Sequence, residues 1–261
     1  MGTIDWPEYI KLEPQAAVDY LRKKGYKATF DYHEMVREEH AFNFTVAKAT
    51  SVDILQDIRT EVDKALADGT TLETFRRNLR PILADKGWWG KKLMVDPKTG
   101  EEKLVQLGSP RRLQIIFDTN LRTAYAAGHW EGIQKAKKLR PYLRYVAILD
   151  ERTRDQHRHW NDTVKPVDDP FWNDHYPPNG WRCRCSVQQL SERDMKRLGL
   201  EETTINPDGA PKTFLDKRTG ETVLLPPGLD PSFAYNVGKA RMKAMVPPQL
   251  DVTLSAPFLG D

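Results

Sequence analysis

The chain has 261 residues, enough for one large domain or two small ones with a real hydrophobic core. Its 40 basic and 37 acidic residues nearly cancel, so the overall charge indicates neither a nucleic-acid nor a membrane partner. No apolar run approaches the roughly 20 residues of a membrane-spanning helix, and the first residues lack the pattern of a secretory signal. Two cysteines are too few for a disulfide scaffold, so we expect synthesis in a reducing cytoplasm.

Residues 1–108 are predicted to form an N-terminal helical region that ends in a hairpin. Pro14 suits the first turn of a helix, and residues 31–48 carry a loose apolar stripe that favours another short helix. Ser51 can cap a further helix, whose apolar residues recur every four positions. Turn-forming residues then separate two short apolar runs, which predicts the hairpin over 93–107.

Residues 109–200 are predicted to form a small mixed α/β core. The pair Ser109–Pro110 is a strong helix start, and the helix that follows should be the longest element of the chain. Residues 142–149 have the continuous apolar pattern of a buried strand, and residues 185–190 predict a second strand. The core should therefore contain one long helix packed on short strands.

Residues 201–261 accumulate proline and glycine. Beyond a second hairpin over 213–225, we expect an extended, Pro-rich tail that wraps a partner or the protein's own core. The segment 226–237 offers aromatic anchors but has little means of forming a core by itself. The predicted fold class is thus α+β, with an N-terminal helical region, a small mixed core and this extended C-terminal tail.

Residues 150–185 hold the densest group of side chains that can bind metals. They include both cysteines of the chain and three of its six histidines. Residues i and i+2 of an extended segment face the same side, so Cys183 and Cys185 can both point at one ion. His157 can add a nitrogen ligand, which makes a structural zinc site a candidate.

Three residues are candidates for the fourth zinc ligand: Asp150, His159 and His175. The spacing departs from the usual closed zinc sites, which have a second pair of cysteines or histidines close in sequence. The alternative is a metal-free arrangement. In that case the two thiols pack beneath Trp181, and His157 forms a hydrogen bond with the backbone.

The same segment allows an enzymatic alternative, in which Asp150 and His157 form an acid–base pair. Together with the two cysteines they would build a metal-dependent hydrolase, either a nuclease or a peptidase. The competing interpretation is a salt-bridged turn: Asp150 accepts backbone amides, and an arginine pairs with Asp168 or Asp169. No nucleophile elbow, phosphate loop or metalloprotease motif accompanies these residues, so we assign no catalytic residue.

A basic patch lies at the end of the long helix and in the strand after it. Its members are Lys135, Lys137, Lys138, Arg140 and Arg144. Such a patch can bind the phosphates of DNA. Cations are also favoured at a helix C-terminus by the helix dipole, and strand residues often alternate toward solvent. Both interpretations stay open.

Four motifs follow one another along the chain: RTAYAAG at 122–128, DERTRDQH at 150–157, PPNGWRCRC at 177–185 and PSFAYN at 231–236. Together they resemble the Mu F-like phage head morphogenesis family, the minor head proteins of tailed phages. The motif-bearing core covers residues 109–200. The resemblance implies a low-copy virion component with no settled enzymatic activity.

The resemblance also implies where such a protein acts. We expect it inside the phage head near the portal, and in the host cytoplasm during assembly. Its partners would be the portal protein, the major capsid protein or both. Packaged DNA and further copies of the chain are additional candidate partners, whereas a membrane is not.

Overall fold

The computed structural model describes residues 14–35, 37–49, 51–216 and 220–245. Within these residues the helices are α1 (Pro14–Arg22), α2 (Glu39–Phe42), α3 (Val52–Asp68), α4 (Leu72–Asp85), α5 (Pro110–Ala136), α6 (Asp155–His159), α7 (Glu192–Leu198) and α8 (Val237–Met245). The strands are β1 (Gly25–Tyr26), β2 (Asn43–Phe44), β3 (Lys91–Val95), β4 (Glu102–Gln106), β5 (Tyr142–Val146), β6 (Val164–Pro166), β7 (Ser186–Leu190), β8 (Lys212–Leu215) and β9 (Thr222–Leu225). This mixture of helices and small sheets confirms the α+β class. None of the described helices is both long and apolar enough to span a membrane.

Helix α5 is the element on which most other helices pack. It begins where the sequence predicts, because the Ser109 hydroxyl accepts a hydrogen bond from the backbone N–H of Arg112. Helices α1, α3, α4 and α8 all contact it. Gly128 lets α1 approach closely, since a Cβ at this position would lie 3.1 Å from the Cβ of Ala16. The long helix thus ties the N-terminal helices to the C-terminal part of the chain.

A three-stranded antiparallel sheet in the order β6-β5-β7 holds the candidate site. In its central strand Leu143 and Tyr145 point into the core and are fully buried, while Arg144 between them is partly exposed. This alternation follows from the two-residue period of a strand. Strand β5 ends at Val146, and the chain beyond it turns directly into the segment with the site residues.

The helix predicted within residues 31–48 is reduced to α2, which has only four residues. The chain then becomes extended, and Asn43–Phe44 pairs in parallel with Gly25–Tyr26. Phe44 and Val46 are both buried. A two-residue spacing of buried side chains fits an extended segment better than a helix, which explains the difference.

Both predicted hairpins are present. Strands β3 and β4 pair antiparallel, with Leu93 opposite Leu104, and β8 pairs with β9 in the same way. Each hairpin packs one face on the protein through residues such as Val105 and Phe214. The opposite faces carry exposed leucines, with Leu93 at 65% and Leu224 at 67% exposure.

Residues 226–245, which we call the C-terminal strap, pack on the protein's own core rather than extending away from it. A 3-10 turn at Pro231–Phe233 leads into α8, which lies against α5. Tyr235 is buried, and a Cβ on Gly238 would lie 2.1 Å from the Cβ of Trp130. The tail was expected to wrap either a partner or the protein's own core, and residues 226–245 pack on the core. The tail predicted for 246–261 lies outside the described residues.

Candidate metal centre

His157, Cys183 and Cys185 converge in one buried group, which we call the His/Cys cluster. The Nδ1 atom of His157 lies 3.7 Å from the Sγ of Cys183 and 3.5 Å from the Sγ of Cys185. The three residues are 1%, 3% and 4% exposed, respectively. The structure therefore brings together the three side chains that the sequence singled out as metal ligands.

Short local elements position these side chains. Helix α6 follows β5 after a turn and presents His157 toward the sheet, where Trp160 stacks on its ring with centroids 4.9 Å apart. Arg182 takes a left-handed conformation with φ of 60°, and this bend precedes the two cysteines. Because Cys183 and Cys185 are separated by one residue and lead into β7, both sulfurs face His157.

The hydrogen bond of the second ring nitrogen defines the tautomer of His157. Its Nε2 lies 3.0 Å from the carbonyl oxygen of Gly228 in the C-terminal strap. A carbonyl oxygen only accepts hydrogen bonds, so Nε2 donates to Gly228, and Nδ1 is the ring atom that faces the two sulfurs. Metal-binding histidines are usually held this way, with the other nitrogen donating to a backbone carbonyl or carboxylate.

Gly228 is required at this position for steric reasons. Its φ of +91° is unfavourable for other residues, and a Cβ there would lie 2.6 Å from the Cβ of Gln156. The glycine therefore allows the strap to approach α6 closely enough for its carbonyl to reach His157.

The two thiols share a hydrogen bond that separates their acidities. The hydrogen bond from Cys185, and then the one with His157, lower the pKa of Cys183 despite its burial. The pKa of Cys185 is raised by its hydrogen bond to Cys183 and by burial. The two thiols therefore differ in acidity, and Cys183 is the more acidic of the pair.

The donor set fits tetrahedral zinc. With Zn–S of about 2.3 Å and Zn–N of about 2.0–2.1 Å, a tetrahedral site separates sulfur from nitrogen by about 3.6 Å. The distances from His157 Nδ1 to the two sulfurs, 3.5 and 3.7 Å, bracket that value. One lone-pair nitrogen and two sulfurs are also ligands that zinc prefers.

None of the predicted fourth ligands joins the cluster. Asp150 forms a two-pronged ion pair with the guanidinium of Arg184, which holds the pKa of that carboxyl well below its usual range. His175 lies 3.0 Å from Asp208 Oδ1 and packs edge-on against Trp160, while His159 is exposed at the end of α6. Over the described ranges, no fourth histidine, cysteine or acidic side chain completes the group.

The acid–base pair required by the enzymatic alternative does not form either. Both nitrogens of His157 are engaged by Gly228 and the sulfurs, and Asp150 faces Arg184. The salt-bridged turn has the predicted character, since Asp150 also accepts the backbone N–H of Arg152 at 3.0 Å. Asp150 additionally pairs with Arg184, a contact that the sequence did not predict.

The predicted arginine pairing with a loop carboxylate is replaced by lysine contacts. Asp168 pairs with Lys137, and Asp169 lies 3.9 Å from Lys165. The guanidinium of Arg154 instead donates to the carbonyl of Trp181 at 2.8 Å. Sequence proximity could not decide which cation reaches each carboxylate.

Most members of the basic patch have partners on the protein. Lys135 pairs with Glu131, Lys137 with Asp168, Arg144 with Asp162, and Arg140 donates to the carbonyl of Gln189. Lys138 makes no comparable contact in the part of the chain that is described. The pairing reduces the positive charge that the patch can offer to a phosphate backbone.

Three residues that support the His/Cys cluster were not predicted from the sequence. Arg122 donates to the carbonyl of Cys183 at 3.2 Å, and the Tyr145 hydroxyl donates to Asn179 at 2.9 Å. Gly228 reaches His157 across 71 positions of sequence. Arg122 lies in the first of the four motifs, which is the one signal that could have indicated its role.

Comparison with known proteins places the chain in a class of phage protein. The sequence model of the family described as "Phage Mu protein F like protein" matches residues 56–188, so the chain belongs to this family. The resemblance inferred from the four motifs is thereby confirmed.

Two relatives are similar to the chain over most of its length. It is 48% identical over 199 residues to "Putative capsid assembly protein F" of Escherichia phage Mu, covering 76% of this chain and 45% of that protein. It is 39% identical over 198 residues to "Mu-like prophage FluMu F protein" of Haemophilus influenzae, covering 75% and 47%. The chain therefore spans slightly less than half the length of these relatives. No solved structure matches it.

Proposed function

We propose that the chain acts in morphogenesis of a phage head, as a minor head protein. The observation that carries this proposal is the 48% identity over 199 residues with a phage protein named for capsid assembly. The burial of the His/Cys cluster supports a structural rather than an enzymatic role, because substrate would need access to reactive side chains. We assign no catalytic residue.

The proposed location is the interior of the head close to the portal, after assembly in the host cytoplasm. Direct partners are then the portal protein, the major capsid protein or both. Low copy number and portal association come from the family resemblance. Contact with packaged DNA through the basic patch stays a prediction, because four of its five members already have partners.

We also propose that the His/Cys cluster holds one zinc ion in a structural role. The donor atoms, their spacing and the backbone partner of His157 support this assignment. Bound zinc would link α6 to the segment that carries the cysteines. Since His157 is also joined to Gly228, the ion would stabilise the position of the C-terminal strap as well.

Deletion of the gene from a phage that encodes it tests the head role. We expect lysates without normal, DNA-filled heads in electron micrographs, and restoration by the full chain supplied from a plasmid. Normal head numbers in the deletion would contradict the proposal. Position is tested separately by crosslinking purified heads: crosslinks to the portal protein are expected, and crosslinks confined to the outer capsid surface would contradict the portal assignment.

A further inference from the structure

A cavity of about 450 Å³ lies apart from the His/Cys cluster. Its walls come from α5, from the segment around α2 and from the C-terminal strap. Four of its 20 lining residues are basic by type, and none is Asp or Glu. This volume falls within the usual range for ligand sites, and the composition favours an anionic ligand over a cationic one.

Two buried polar groups line this cavity without a polar partner. Lys24 is 8% exposed, and its Nζ lies 5.1 Å from the centre of the Tyr20 ring, with no carboxylate beside it in the described part of the chain. Ser232 is 3% exposed, and its Oγ has no hydrogen-bond partner among the described residues. Buried polar groups are normally satisfied, so an unmatched ammonium in the cavity wall indicates a missing acceptor.

The remaining wall suits an apolar body attached to that acceptor. Trp181 packs edge-on against Phe233 at 5.1 Å, and both line the cavity together with Ile116. Along α5 the cavity also exposes the polar side chains of Thr119 and Asn120, which can hydrogen-bond with a peptide backbone. A carboxylate flanked by apolar side chains, as in an acidic peptide segment, matches these features together.

We propose that this cavity binds an acidic, apolar peptide segment of a partner protein, with one carboxylate paired with the ammonium of Lys24. The identification of that partner as another head component rests on the proposed function. The binding chemistry itself rests only on the cavity. A carboxylate that accepts from an ammonium forms a charge-assisted hydrogen bond, which is stronger than a neutral one.

Calorimetry with two synthetic probes tests the binding chemistry. The probes are the amidated peptide acetyl-Leu-Phe-Asp-Leu and its Asn analogue, which differ only in the charge of one side chain. We expect the Asp probe to bind at least about tenfold more tightly. Equal affinity, or absence of binding by the Asp probe at millimolar concentration, would overturn the proposal. Binding of 4-phenylbutyrate as tight as that of the peptide would overturn the assignment to a peptide.

Two variants locate the carboxylate. Lys24→Met keeps the apolar stem and should abolish the preference for Asp over Asn, whereas Lys23→Met, at the adjacent exposed lysine, should retain it. Retained preference in Lys24→Met would contradict the site.

Phage complementation separates this inference from the proposed function. If Lys24→Met loses probe binding and also fails to enter heads, both are supported. If it loses probe binding yet enters heads normally, the partner assignment is wrong while the head role stands. Normal heads in the complete deletion would instead refute the head role, leaving the probe results to judge the cavity.

Discussion

The His/Cys cluster and the cavity both gather polar groups inside the protein, but they differ in how those groups are satisfied. In the cluster, His157 has a partner at each ring nitrogen, and the two sulfurs face it. In the cavity, Lys24 and Ser232 lack acceptors within the described residues. A closed polar group of the first kind contributes to stability, whereas an open one of the second kind lowers stability until a ligand binds.

The C-terminal strap joins these two regions. Gly228 supplies the carbonyl that orients His157, and Ser232 and Tyr235 form part of the cavity wall. Helix α8 then anchors the strap on α5. Changes in the cluster should therefore be costly for folding, while changes in the cavity should affect binding more than folding.

The largest loss of stability is expected from the double variant Cys183→Ala with Cys185→Ala. It leaves Nδ1 of His157 unsatisfied, creates a small void and removes any zinc site. We expect the free energy of unfolding to fall by about 3 kcal/mol or more, measured by urea denaturation. An unchanged unfolding midpoint would contradict the role of the cluster.

The matched serine variants distinguish zinc from a hydrogen-bonded cluster. Cys183→Ser with Cys185→Ser keeps two donors for His157 but gives up the thiolates that zinc requires. If zinc is bound, the serine protein should be nearly as unstable as the alanine protein, and elemental analysis should find one ion per wild-type chain. Wild-type protein without zinc, and with a melting temperature unaffected by chelator, would refute the metal proposal.

The next largest effect is expected where the strap contacts α5. In Gly238→Ala the added Cβ would collide with Trp130, so α8 or the indole must shift. Overpacking of this kind costs about 1–3 kcal/mol, more than alanine contributes to helix propensity. Gly132→Ala is the control, because nothing lies within 4 Å of a Cβ there. Equal stabilities of the two variants would show that the strap does not pack as described.

A smaller effect is expected at Asp150, which the sequence offered as a fourth ligand. Asp150→Asn breaks the ion pair with Arg184, a partly buried contact outside the cluster. We expect less destabilisation than in the cysteine variants and an unchanged zinc content by elemental analysis. Loss of zinc in this variant, with the fold intact, would restore Asp150 as a ligand.

The features that could be predicted from the sequence are those that depend on residues close together in the chain. The start of α5 and the two hairpins were predictable, because a cap, a proline or a turn acts within a few residues. Cys183 and Cys185 were found for the same reason, as neighbours on one face of an extended segment. Local patterns therefore identified the two cysteines of the cluster, which lie close together in the chain.

The contacts that the sequence did not predict join residues that are distant in the chain. The fourth-ligand candidates were chosen by proximity in sequence. In the structure Asp150 forms an ion pair with Arg184, and His175 forms a hydrogen bond with Asp208. The cavity could not be predicted, because its walls join residues from Lys24 to Tyr235. Nothing in the local pattern of the strap indicated that Gly228 would reach His157.

The smallest expected effect concerns the pH dependence of stability at Lys24. Burial, and secondarily the nearby charge of Arg59, lower the pKa of Lys24 from 10.5 to about 7. His40 also faces this lysine, but burial lowers its pKa to about 4, so it is neutral in the relevant range. Of Lys24 and His40, therefore, only Lys24 changes its charge above neutral pH.

The sign follows from proton uptake on unfolding. Between pH 7 and 10.5 the unfolded chain binds the Lys24 proton more strongly than the folded protein, so this group makes stability rise with pH. Below pH 7 the full cost of burying the charge is present. Lys24→Met should thus be more stable than wild type at pH 6, with a smaller difference at pH 9, as measured by urea denaturation. Lys23→Met should show no such trend, and a pH-independent difference for Lys24→Met would indicate that Lys24 is already paired with an anion.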